Sequence, residues 1–78
     1  MNLYSRDELI AMNKSLQDLT KKMAEIDKDV KAIDVDLQTE DNDANISNMK
    51  KTRMNKVLEK TELMLQIKNL KMKISAAA

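Results

Sequence analysis

Cysteine, histidine, glycine and proline are all absent from this 78-residue chain, and Tyr4 is its one aromatic residue. Without cysteine no disulfide can form, and without cysteine or histidine the usual zinc and transition-metal ligands are missing. Catalytic arrangements of the Ser-His-Asp or Cys-His kind are excluded for the same reason, as is an imidazole base. Glycine-rich phosphate loops of either common type cannot be built. The sequence therefore predicts a protein that is not an enzyme and has no catalytic residues, no cofactor and no metal.

The missing glycine also bears on fold. Tight β-hairpin turns and left-handed helix C-caps both lean on glycine, which argues against an all-β or α/β chain. Leucine, isoleucine, valine and seven methionines must supply the apolar contacts, among many residues that favour helix. The predicted class is all-α. A single domain over residues 1–78 is as much as this length supports, and so small a core usually needs association.

No apolar run approaches the ~18–20 residues of a membrane span. The N-terminus also lacks the basic-then-apolar pattern of a signal peptide. The expectation is a cytoplasmic protein without membrane contact, or one exported by a route that leaves no such signal.

The charges that are present nearly cancel, at +1 overall, but they are segregated. Residues 1–43 carry 11 acidic and 6 basic side chains, whereas residues 44–78 carry 2 acidic and 8 basic. Ser5-Arg6-Asp7-Glu8 reads as a capping box, with Tyr4 and Leu9 at the two positions of a hydrophobic staple. That gives Tyr4 a structural role in preference to ligand stacking or phosphorylation. Apolar residues then recur at Leu9, Met12, Leu16, Leu19, Met23, Ile26, Val30, Ile33 and Leu37, alternating steps of three and four. This is a heptad seam with Leu9, Leu16, Met23, Val30 and Leu37 at a, and Met12, Leu19, Ile26 and Ile33 at d.

The seam stops in the polar stretch around Asp41-Asn42-Asp43. Asp41, Asp43 and Asn45 match the first three ligand positions of a calcium loop, but Ile46 replaces its glycine and Thr52 its final glutamate. Turn and cap chemistry explains the stretch better. Two nearly equal halves around it predict an antiparallel two-helix coiled-coil hairpin in preference to one long rod. Helix 1 is expected at about 5–38, the loop at about 39–44, and helix 2 at about 45–75, with Ser75-Ala76-Ala77-Ala78 read as either a frayed end or a non-native addition. Partners whose numbers sum to about 83 would face each other, bringing Asp27, Asp29, Asp34 and Asp36 near Lys50, Arg53, Lys56 and Lys60.

Helix 2 carries two apolar stripes. One runs Ile46, Met49, Val57, Leu63, Met64, Ile67, Leu70 and Ile74, broken at its centre by Arg53, Lys56 and Lys60. The other is Met54, Leu58, Leu65 and Met72, on roughly the opposite side. A two-helix hairpin can cover one stripe only, so the second is the predicted partner interface. Its occupant is expected to be a second copy, giving a four-helix bundle, or a helix of another protein. Methionine-rich surfaces adapt to foreign chains, which suits an assembly factor, a secretion-type chaperone or a small inhibitor. The rival class is nucleic-acid binding through Lys50, Lys51, Arg53, Lys56 and Lys60. No aromatic residue accompanies that cluster for base stacking, and no small-molecule substrate is expected.

Overall fold

The computed structural model describes residues 4–77. It contains two α-helices, α1 (Arg6–Thr39) and α2 (Asp43–Ala77), folded back on each other as a hairpin about 60 Å long and 14 × 13 Å across. No strand occurs among the described residues.

The start of α1 follows from local hydrogen bonding. Ser5 is in extended conformation and its hydroxyl oxygen accepts the Glu8 N–H at 3.2 Å. The Glu8 carboxylate accepts from the Ser5 hydroxyl at 3.2 Å, whereas the capping-box pattern would have it accept from the Ser5 N–H. Asp7 and Glu8 lie in the first turn, where the helix dipole favours carboxylates.

The turn between the helices is three residues long, shorter than the 39–44 stretch read from the sequence. Glu40 ends α1 in extended conformation, at φ −80° and ψ 125°. Asn42 then caps α2: its side-chain oxygen accepts the Asn45 N–H at 3.1 Å and its carbonyl accepts the Ile46 N–H at 2.9 Å. Glu40 braces the cap from the other side, its carboxylate accepting the Asn42 N–H at 3.0 Å. Asp43 is thereby drawn into the helix. No described residue has positive φ, so this connection has no need of glycine.

Burial along α2 corrects the picture of a broken seam. The half-buried and buried residues are Ile46, Met49, Arg53, Lys56, Lys60, Leu63, Ile67, Leu70, Ile74 and Ala77, with Val57 beside them. Without Val57 these again alternate steps of three and four. The heptad thus runs unbroken through α2, with Ile46, Arg53, Lys60, Ile67 and Ile74 at a and Met49, Lys56, Leu63, Leu70 and Ala77 at d. Arg53, Lys56 and Lys60 are members of the seam. Met64 is not: it is one of the exposed large apolar residues, at 51%. The chain end also departs from expectation. Helix continues through Ala77, which is buried, while Ala78 lies outside the described residues.

Three ion pairs mark the register. Arg53 Nε meets Asp34 Oδ1 at 2.6 Å, Lys56 Nζ meets Asp29 Oδ2 at 3.3 Å, and Lys60 Nζ meets Asp27 Oδ1 at 2.6 Å. Their residue numbers sum to 87, 85 and 87, centred on 86 and not on the 83 read from turn position. A sum of 86 is what the two heptad frames require if each a residue is to lie level with a d residue of the other helix. The layers are then Ile26 with Lys60, Met23 with Leu63, Leu19 with Ile67 and Leu9 with Ala77. Ile26, Leu63 and Ile67, the buried side chains of the middle, fall in three adjacent layers.

The same frames explain which acid each base reaches. In an antiparallel pair the e flanks of the two helices adjoin, and so do the g flanks. Arg53 and Lys60, at a, lean toward the e flank and meet Asp34 and Asp27, both e residues of α1. Lys56, at d, leans toward the g flank and meets Asp29. Asp36 is a g residue and Lys50 an e residue. They lie on opposite sides of the hairpin and form no ion pair. Each base buries its aliphatic stem in the seam and delivers its charge at the edge.

Candidate interaction surface

The hairpin uses one side of α2 and leaves the opposite side open. Met54, Leu58, Leu65 and Met72 are 59, 56, 58 and 61% exposed. In the α2 frame Met54 is a b residue and the other three are f residues, so the stripe faces away from α1. These four side chains lie on one face over the 19 residues from Met54 to Met72, a rise of about 27 Å. Thr61 falls between Leu58 and Leu65, and its hydroxyl donates to the Val57 carbonyl at 3.0 Å. Its polar group is therefore spent inside the helix, and the stripe continues past it.

Met64 widens this stripe toward the e flank, where an open groove runs along the C-terminal half of α2. Met23 and Ile67 belong to its lining from the seam, Met64 and Met72 from the outer side, and Lys68 and Lys71 add two exposed amines. The four stripe residues read from the sequence are all exposed. Met64, read from the sequence as a seam residue, is exposed with them, because apolar content alone cannot separate an e residue from its a and d neighbours. Fractional exposure separates them.

On α1 the exposed large apolar residues are Ile10 and Val35, 25 positions apart. They form no stripe, and isolated exposed apolar residues are ordinary.

The five residues of the basic cluster divide into two groups. Arg53, Lys56 and Lys60 are half-buried and committed to Asp34, Asp29 and Asp27. The Arg53–Asp34 contact is two-pronged, with Nη2 donating to Oδ2 at 3.4 Å beside the shorter Nε bond. This hydrogen bond, and then the charge of Asp34, hold the Arg53 pKa above its ordinary value against a smaller opposing effect of burial. Lys50 and Lys51 are exposed and form no ion pair among the described residues. Asp41, Asp43 and Asn45 sit at the turn and the first residues of α2, where Asn45 serves the cap. Among the described residues, no group of three or more acidic side chains is placed to hold a metal ion. Nor is either helix long and apolar enough to cross a membrane.

Comparison of the chain with protein-family models, with curated proteins and with solved structures found no match in any of the three.

Proposed function

We propose that this chain is a non-enzymatic protein–protein interaction module whose working surface is the outer face of α2. The observation that carries this reading is the run of four large apolar side chains, each more than half exposed, on the side of α2 that α1 leaves uncovered. Contiguous apolar strips of this kind mark interfaces, and a helix face is the shape another helix fits. An assembly factor, a chaperone holding a partner helix, or a small inhibitor would each use such a face.

Two copies meeting through this face form a flattened four-helix bundle with the two α2 helices as its inner pair. Lysines crowd the same face, so this pairing is weak and strengthens as salt screens them. Sedimentation velocity tests the surface. The parent chain is expected to associate at high micromolar concentration, and Leu58→Lys with Leu65→Lys is expected to abolish association with helix content unchanged by circular dichroism. Association that survives the double substitution contradicts this surface. A parent that stays monomeric removes the bundle and leaves only contact with another protein.

Nucleic-acid binding by the basic cluster gains nothing from the geometry, since three of its five residues are already paired with carboxylates.

A further inference from the structure

Resting on that reading of the α2 face, the charges around it point to one kind of occupant. Lys50 and Lys51 stand at one end of the stripe; Lys68 interrupts it between Leu65 and Met72, and Lys71 lies beside Met72 at the other end. In the α2 frame these four occupy positions e, f, b and e, the same arc of the helix that bears Met54, Leu58, Leu65 and Met72. Glu62, at c, is the one α2 carboxylate beside the stripe itself; Asp43, at e, stands in the first turn of α2, ahead of Lys50, and Glu59, at g, is turned toward the seam side. Three acidic residues of the hairpin are already committed elsewhere. Asp27, Asp29 and Asp34 lie on the flanks of α1 and are consumed by the seam bases.

A second copy is a poor match for such a face. In antiparallel pairing Lys50 and Lys51 of one chain approach Lys71 of the other at both ends, while the middles bring Glu62 near Glu62. Parallel pairing also sets like on like. We infer that the outer face of α2 takes an amphipathic helix of another protein, one with an apolar stripe flanked by aspartate or glutamate. The groove beside Lys68 and Lys71 fits that chemistry locally. Its methionines adapt to an apolar side chain of unspecified shape, and its two amines stand one turn apart to receive carboxylates.

The test uses the full chain and two designed helical peptides of about three heptads, both with leucine at a and d. One carries glutamate and the other lysine at the flanking e and g positions. Fluorescence anisotropy at low salt should show the glutamate peptide binding roughly tenfold tighter, the preference expected from a few exposed pairs. That preference should shrink with added salt. Lys68→Glu with Lys71→Glu should reverse it, and Leu58→Lys with Leu65→Lys should abolish binding of both peptides.

Equal binding of the two peptides overturns the inference, as does self-association tighter than peptide binding, or a DNA duplex that binds better than the acidic peptide. If neither peptide binds but the leucine substitutions still abolish self-association, the inference falls and the reading of the face stands. If neither peptide binds and self-association ignores those substitutions, both fall.

Discussion

Replacing Ile26 with alanine is expected to lower the melting temperature of this chain by roughly 15 °C, and Ile26→Asp to abolish cooperative unfolding. Ile26 is 5% exposed, and the two neighbouring layers hold Leu63 and Ile67, at 7 and 9%. The buried core is therefore thin, and its centre is concentrated in a few side chains. Truncating a buried isoleucine to alanine costs about 2–5 kcal/mol, whereas a domain of this length has on the order of 4–12 kcal/mol in all. A carboxylate at the same place would be buried without a partner, since the adjacent amine of Lys60 already meets Asp27. Thermal unfolding followed at 222 nm measures both effects. Val35→Ala is the control: Val35 is 62% exposed, and the loss there should stay within about 0.5 kcal/mol. Comparable losses at positions 26 and 35 would mean that the seam is not the core.

The second large effect has the opposite sign. Lys56→Leu with Lys60→Leu should raise the melting temperature by roughly 10 °C, at about 1 kcal/mol for each half-buried leucine. Both lysines occupy seam positions, and their ion pairs with Asp29 and Asp27 are half exposed, so little is lost with them. Uniqueness is what should suffer. Charged residues at a and d tie the hairpin to the one register in which Asp34, Asp29 and Asp27 lie within reach. With leucine at two of those layers the seam approaches a uniform apolar strip, which other registers and other helix numbers satisfy equally well. Size-exclusion chromatography with light scattering should show a mixture of species for this variant. A single species with unchanged melting would show that the basic residues do not govern register.

Much of this architecture is legible in the residues. Helix class follows from the missing glycine and proline, and α1 is written out by nine apolar residues in strict three-four steps. Three of the four acids expected beside the basic residues, Asp27, Asp29 and Asp34, do pair with them, because heptad flanks bring acids of one helix beside bases of the other. What escapes is the meaning of Arg53, Lys56 and Lys60. A pattern search scores a cation at a seam position as an interruption, although a long aliphatic stem can fill that position and still place its charge at the edge. The register suffers from the same error. Counting outward from the turn gives 83, because that count takes the turn's midpoint as the register. The register follows instead the heptad frames of the two helices, and the α2 frame is legible only once its three basic residues are counted in the seam. Ala77 is the third case: alanine suits core and surface alike, and only the continued heptad marks it as a seam residue. The outer stripe itself is visible beforehand in its spacing, and the structure adds that all four members are exposed.

The claim on which the rest depends is that α2 has two apolar faces, an inner one that makes the hairpin and an outer one that α1 leaves uncovered. Thiol labelling tests it most directly, because the parent chain contains no cysteine. Four variants are compared at low micromolar concentration: Leu58→Cys, Leu65→Cys, Leu63→Cys and Ile67→Cys. Substitutions at 58 and 65 should react with a soluble disulfide reagent nearly as fast as an unstructured peptide. Those at 63 and 67 should react many-fold more slowly. Equal rates at all four positions, or protection at 58 and 65 in the chain alone, would contradict the two-faced helix.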